Sequence, residues 1–209
     1  MSDITQHGAL MDDVYRYQRL IYDVTRKYYL LGRDHLIEQM EVAPGETVLE
    51  IACGTGRNLA KIERIYPEAR LFGLDISEQM LATARKKLGA SVPLARADAC
   101  KIDAERLFGL SKFDHVVLSY SLSMIPDWRG ALGEAHNLLA HGGQLHIADF
   151  GDQSGMPKWF RSGLYLWLAK FHVTPREDLP SFLAEKFDGA TVRRLYRGYA
   201  YRAIIARKV

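Results

Sequence analysis

Cysteine is scarce: the 209-residue chain has two, Cys53 and Cys100, and they share no metal-ligand spacing. A disulfide framework and a zinc site are therefore not expected, and a reducing cytoplasm is the expected compartment. Long apolar runs are missing too; none approaches the roughly 20 residues that a membrane span needs. The start, Met1-Ser2-Asp3-Ile4, has neither the basic region nor the apolar core of a secretory signal. There is no internal repeat and no low-complexity segment. What remains is the profile of one α/β domain able to bury a full core, with 48% hydrophobic and 25% charged residues. Acids are short at one end. Residues 151–209 carry eleven Lys/Arg against five Asp/Glu, a balance of +6, which leaves −3 for the rest of a chain whose net charge is +3. A basic end on a near-neutral body points to an anionic partner: a membrane surface, nucleic acid or an acidic substrate.

The stretch Val48-Leu49-Glu50-Ile51-Ala52-Cys53-Gly54-Thr55-Gly56-Arg57-Asn58 organises the chain. It reads as a buried strand, a glycine turn and the start of a helix. Gly54 and Gly56 permit positive φ and a close ligand approach, and the helix start offers free N–H groups. Such a unit is a nucleotide-type site. A dinucleotide fingerprint requires a third glycine where Leu59 stands, which weakens a nicotinamide oxidoreductase reading. Asp75 ends the next apolar run, where an acid binds vicinal ribose hydroxyls and repels a ribose phosphate.

Periodicity places the other elements. Met11 to Met40 is helical in pattern with an interruption at Gly32. Strands are expected at about 47–51, 70–75, 92–96, 113–119 and 144–150, with helices at about 57–65, 77–89, 127–140 and 157–171. Gly142-Gly143 is expected as a turn, and two closing strands near 191–196 and 199–207 meet around Gly198. The predicted fold is α/β and Rossmann-like: a mostly parallel seven-stranded sheet with a C-terminal antiparallel hairpin. One domain spans 1–209, with a helical lid at 1–44, a cofactor-binding core at 45–150 and a substrate- or membrane-facing part at 151–209.

Glu50, Gly54, Gly56 and Asp75 in this order resemble the pattern of class I S-adenosylmethionine-dependent methyltransferases. Ala52 departs from it, since many members have Gly there. The resemblance implies S-adenosyl-L-methionine as cofactor and S-adenosyl-L-homocysteine as product. It implies that Glu50 sits below the methionine moiety, that the glycines line it, and that Asp75 holds the ribose. It implies an adenine contact at Asp98-Ala99 and a ligand-facing edge at Ser119-Tyr120-Ser121. Ala52, Cys53, Asn58, Ile76 and Met80 complete the implied cofactor set. From the lid, Tyr22 and Arg33 are expected to reach the cofactor carboxylate; the other basic residues of this stretch, Arg16, Arg19, Arg26 and Lys27, read as a solvated face.

The lid, with Tyr-Asp-Val-Thr-Arg at 22–26 and Leu-Leu-Gly-Arg-Asp at 30–34, resembles a narrower family, the bacterial diacylglyceryl-homoserine N-methyltransferases of betaine-lipid synthesis. That resemblance implies trimethylation of the homoserine amino group of a lipid. Tyr15, Tyr28 and Tyr29 are then candidate substrate residues, because tyrosine faces stabilise quaternary ammonium groups. Tyr120 is the first candidate to accept the amine proton, ahead of His146 and Asp149. The expected partners are a lipid substrate and an anionic membrane surface, with no nucleic acid and no metal, and the expected location is peripheral on the cytoplasmic side of the inner membrane. Residues 156–171 fit a lipid surface, with two Trp, two Phe and a Tyr beside three cations; core burial of the same aromatics is the alternative. The Arg193-Arg194 and Arg197…Arg202 cluster reads either as a solvated edge or as a headgroup contact.

Rival functions remain: methylation of another phospholipid or of a small amine, and a non-catalytic lipid-binding module. A base-methylating enzyme lacks support, since Ser119-Tyr120-Ser121-Leu122 is not an Asn/Asp-Pro-Pro-aromatic signature.

Overall fold

A computed structural model describes residues 30–207. Its centre is β1 (Thr47–Ile51), buried at every position because both faces of a central parallel strand are covered. β2 (Arg70–Asp75) and β3 (Leu94–Arg96) pair outward on one side, and β4 (Phe113–Ser119) and β5 (Leu139–Phe150) on the other. The sheet order is β3-β2-β1-β4-β5-β7-β6, with β6 (Thr191–Leu195) and β7 (Ala200–Ala206) completing it. β1 to β5 run parallel; β7 is antiparallel to both β5 and β6. The expected fold class is thus the observed one.

Seven α-helices in the described residues cover the two faces: α1 (Arg33–Glu38), α2 (Arg57–Ile65), α3 (Glu78–Leu88), α4 (Ala104–Phe108), α5 (Trp128–Asn137), α6 (Lys158–Ala169) and α7 (Leu179–Lys186). Alternation along each strand divides the core. Val48, Leu71, Val117 and Ala148 meet α1, α2, α3 and α6; Leu49, Ile51, Leu118 and Ile147 meet α4, α5 and α7. Strand order reverses beside β1, which opens a crevice at the carboxyl ends of β1 and β4.

Ser77 caps α3 by accepting from the Met80 N–H at 3.3 Å, and Asp127 caps α5 from the Gly130 N–H at 2.9 Å, both as their side-chain chemistry predicts. Three expectations need correction. β5 begins at Leu139, not Gln144: Leu139 already pairs with Phe113, and Gly142 at φ 78 is absorbed as an irregularity inside the strand. Arg202 does not belong to a surface cluster; it is 7% exposed within β7. α4 and α7 were not anticipated, although Asp103 caps α4 and Pro180 sits in the first turn of α7.

Candidate cofactor and methyl-transfer site

Alternate residues of the β1–α2 turn lie in the left-handed region: Ala52 at φ 56, Gly54 at 55 and Gly56 at 70. Glycine takes this conformation freely; Ala52 bears a strain of about 1–2 kcal/mol. At Gly54 an added Cβ meets nothing within 4 Å, so its outer side is open. At Gly56 a Cβ would come within 2.8 Å of Leu88 Cδ1 and 3.1 Å of Ala84 Cβ, so this glycine also lets α2 start close against α3. The room that a third glycine would supply comes instead from β2. A Cβ on Gly73 would stand 2.7 Å from Leu59 Cδ1, and Leu59 is fully buried there. Leu59 therefore packs where a dinucleotide fold needs a gap.

Two carboxylates flank the turn. Asp75 Oδ2 accepts the Gly54 N–H at 2.8 Å, and Oδ1 accepts the Ser77 N–H at 2.9 Å. A carboxylate offers about four lone-pair sites, so acceptor capacity is left over for hydroxyls. Glu50 is 1% exposed, and its Oε1 accepts the Asn58 amide at 2.6 Å. Its Oε2 is buried with no hydrogen-bond partner among the described residues. Burial raises the Glu50 pKa to about 8, against the lowering effects of the Asn58 hydrogen bond and the Arg33 charge. Arg33 is itself buried at the start of α1, which is braced on α2 by the two bonds from Arg57 to Asp34 at 2.7 and 3.2 Å.

Two adjoining cavities meet at Ala52. One, of about 390 Å³, is lined by Asp75, Ile76, Ala97, Asp98, Ala99, Cys100 and the Ile125–Asp127 segment. The other, of about 40 Å³, is lined by Leu30, Arg33, Glu50, Cys53, Gly54, Asn58 and Ser119. The first is mostly apolar with Asp75, Asp98 and Asp127 in its lining, as suits a nucleoside; the second is polar. Together they collect Arg33, Glu50, Ala52, Cys53, Gly54, Asn58, Asp75, Ile76, Asp98, Ala99 and Ser119 from the predicted set. Met80 is buried in the first turn of α3. Tyr15, Tyr22, Tyr28 and Tyr29 lie outside the described residues. An S-adenosyl group fits the chemistry: the larger cavity offers Asp75 and Asp98 to hydroxyl and amino donors. The smaller one offers a partnerless Glu50 oxygen to an ammonium and the Arg33 charge to a carboxylate.

The sequence missed Cys100, which follows the expected Asp98-Ala99 after β3, and Ile125 and Pro126, whose loop after β4 is brought in by tertiary contacts. Arg176 fixes that loop by donating to the carbonyls of Leu122 and Ile125 at 3.0 and 2.9 Å. Burial lifts the Cys100 thiol to about 11, which keeps it protonated near neutrality.

The three candidate proton acceptors are not arranged as expected. Tyr120, at φ 55, is 3% exposed, and its hydroxyl donates to the Leu31 carbonyl. Burial pushes its pKa well above the usual phenol value. His146 lies mid-strand rather than at the edge, fully buried, with Nε2 3.0 Å from His115 Nδ1. Burial lowers its pKa to about 3. Asp149 is fully buried and accepts from the Ser123 and Phe150 N–H groups at 3.1 and 2.8 Å, with its pKa raised by burial. Tyr120 is tied to the Leu31 carbonyl; Asp149 fixes the loop after β4; His146 is held inside the sheet.

Residues 48–143 match the methyltransferase domain family. A demethylmenaquinone methyltransferase of Listeria welshimeri is 31% identical over 148 residues, covering 68% of this chain and 61% of the relative, so the chain spans less than two thirds of that protein's length. Two solved structures share the fold. The Haloferax volcanii complex of the Trm112 methyltransferase activator with a putative methyltransferase gives a TM-score of 0.69 at 16% identity, covering 90% of this chain and 93% of that one. A Thermotoga maritima protein described as a possible histamine N-methyltransferase gives 0.68 at 16%, covering 94% and 99%. Residues 48–143 thus match a methyltransferase domain model, and the described chain shares the fold of both solved structures.

Proposed function

We propose that this protein is an S-adenosylmethionine-dependent methyltransferase whose acceptor is a lipid headgroup, with the homoserine amine of diacylglyceryl homoserine as first choice. The observation that carries the cofactor half is the pair of buried carboxylates, Glu50 and Asp75, on either side of a turn with three left-handed residues. The acceptor half rests on the lid's resemblance to diacylglyceryl-homoserine N-methyltransferases. A second reading, a lipid-borne quinol acceptor, is favoured by the name of the Listeria welshimeri relative.

When bound, S-adenosylmethionine supplies a methyl group already activated on a sulfonium, so the chain's part is alignment and exclusion of water. Asp75, itself fixed by two backbone N–H groups, orients the ribose. Glu50 and Arg33 hold the two charges of the amino acid end. Tyr120 ties Leu31 over the site and keeps its own proton there. An amine acceptor then loses its proton to solvent rather than to Tyr120, His146 or Asp149, since each of these is buried and engaged.

The test is transfer of labelled methyl from S-adenosylmethionine to diacylglyceryl homoserine, to demethylmenaquinone, to phosphatidylethanolamine and to small amines, with products resolved by mass spectrometry. Mass gains of one to three methyls on the homoserine lipid support the first reading. Label in demethylmenaquinone alone moves the assignment to the second. Label in a water-soluble amine alone removes the lipid acceptor.

A further inference from the structure

The outer side of α6 is built unlike a solvent face. Trp159, Gly163, Leu166 and Lys170 follow one another at steps of four, three and four residues, with Ser162 and Ala169 beside them, and all six are exposed. Trp159 is 76% exposed and Leu166 69%. The opposite side of the helix, with Phe160, Leu164, Trp167 and Leu168, packs on the core. An amphipathic surface helix turns charge outward; this one turns out an indole and a leucine and contains no acid. Lys158 and Lys170 stand at its two ends.

A second, separately built feature joins this stripe. In the turn between β6 and β7, Tyr196 and Arg197 both adopt left-handed backbone, φ 49 and 60. The turn is held beside the start of α6 by bonds from the Gln153 N–H to the Gly198 carbonyl at 2.9 Å and from the Gly155 N–H to the Arg197 carbonyl at 3.0 Å. A Cβ on Gly155 would stand 2.8 Å from that carbonyl oxygen, so the approach depends on glycine. The left-handed turn leaves Tyr196, 51% exposed, and Arg197 exposed, a few residues from the start of α6 through its bonds to Gln153 and Gly155. Lys158, Lys170 and Arg197 make no ion pair with a described residue, whereas Arg161 and Arg194 are held by Glu177 and Asp152 at 2.8 and 3.1 Å. Behind the surface, rings run inward from Trp159 through Phe160, Tyr199 and Phe150 to Tyr120, with centroids 5.9, 6.4, 6.0 and 4.9 Å apart.

We infer that the outer face of α6 and the β6–β7 turn form one docking surface for an anionic lipid bilayer. Trp and Tyr suit the headgroup level, Leu166 enters the acyl boundary, and the cations meet lipid phosphates. Charge selects this occupant over a second copy of the chain, since self-association would set these cations against each other. The inference concerns the surface and holds whichever acceptor is methylated.

The experiment uses the full chain with vesicles of phosphatidylcholine alone and of phosphatidylcholine with phosphatidylglycerol, read by sedimentation and tryptophan fluorescence. Expected are binding to the anionic vesicles only, a blue shift that Trp159→Phe abolishes, and affinity that falls with salt. Trp159→Ser with Leu166→Ser, and separately Lys158→Glu with Arg197→Glu, should each weaken vesicle binding about tenfold or more while S-adenosylhomocysteine binds unchanged, which certifies the fold. Three results overturn the inference: equal binding to both vesicles or none; serine variants that bind like the wild type; or a dimer by light scattering that the serine variants dissolve. Trp159 already shielded from iodide without vesicles would overturn it too, because the face would then be covered by protein. Vesicle binding without methyl transfer to any lipid would sink the acceptor reading and leave the surface standing.

Discussion

Cofactor affinity should depend on pH through Glu50. Burial holds its carboxyl up to about 8, so near neutrality the free protein carries that proton. The carboxyl faces the cavity assigned to the amino acid end of the cofactor, which bears an ammonium. A cation there favours the carboxylate, and binding expels the proton. At about pH 6.5, roughly 1.5 units below the Glu50 value, removing the proton costs about 2 kcal/mol, so affinity should be about thirtyfold weaker than above pH 8. The assay is calorimetric titration with S-adenosylhomocysteine from about pH 6 to 8 in two buffers of different protonation enthalpy. Nearly one proton should leave per ligand at the acid end. Glu50→Gln should flatten the profile, and adenosine, which lacks the ammonium, should bind independently of pH. A wild-type affinity that is flat over this range, with heat independent of buffer, would refute the reasoning. The same group fixes a stability trend. Its folded pKa is raised, so its contribution is fully present below about 4.5 and is lost as pH rises through about 8; the ligand-free melting temperature should fall across that window, less so in Glu50→Gln.

Other consequences are quickly checked. Asp75→Ala strips the Gly54 and Ser77 N–H groups of their acceptor and should cost about 1–3 kcal/mol of stability by denaturant melts, with loss of S-adenosylhomocysteine binding by tenfold or more. Ala52→Gly should stabilise by about 0.5–1 kcal/mol, the left-handed penalty less the extra freedom of glycine in the unfolded chain; a loss of stability would mean that φ 56 carries no strain. His146, lowered to about 3, withholds a proton that the unfolded chain binds, so stability is full above about pH 6.5 and falls as pH drops below it. His146→Gln should shrink that acid limb. Tyr120→Phe frees the Leu31 carbonyl and should raise the cofactor KM more than it lowers kcat; the reverse split would restore Tyr120 as a proton acceptor.

The sheet was legible because each parallel strand is a short apolar run with local punctuation. The bounds of β2 and α2 follow directly from Arg70–Asp75 and from Gly56 and Pro67. The crevice at the carboxyl edge was legible because Glu50, Gly54, Gly56 and Asp75 lie in two adjacent strand–turn units. What escaped was set by long-range packing. The Ile125–Asp127 lining is clamped from the distant Arg176, and nothing local marks it. β5 runs on from Leu139 because pairing with β4 overrides the turn tendency of Gly142-Gly143. His146 looks like a catalytic histidine by its place near a strand end, yet strand register turns it onto His115. α4 and α7 carried signals, Asp103 and Pro180, in segments too short for periodicity to register.

The central claim is that the Glu50–Asp75 crevice binds an adenosyl amino acid rather than a dinucleotide. Titration of the full chain with S-adenosylhomocysteine and, in parallel, with a nicotinamide dinucleotide tests it most directly. One-to-one binding of the first, lost in Asp75→Ala, and no heat with the second is the predicted result. Tight dinucleotide binding with no response to S-adenosylhomocysteine would contradict it.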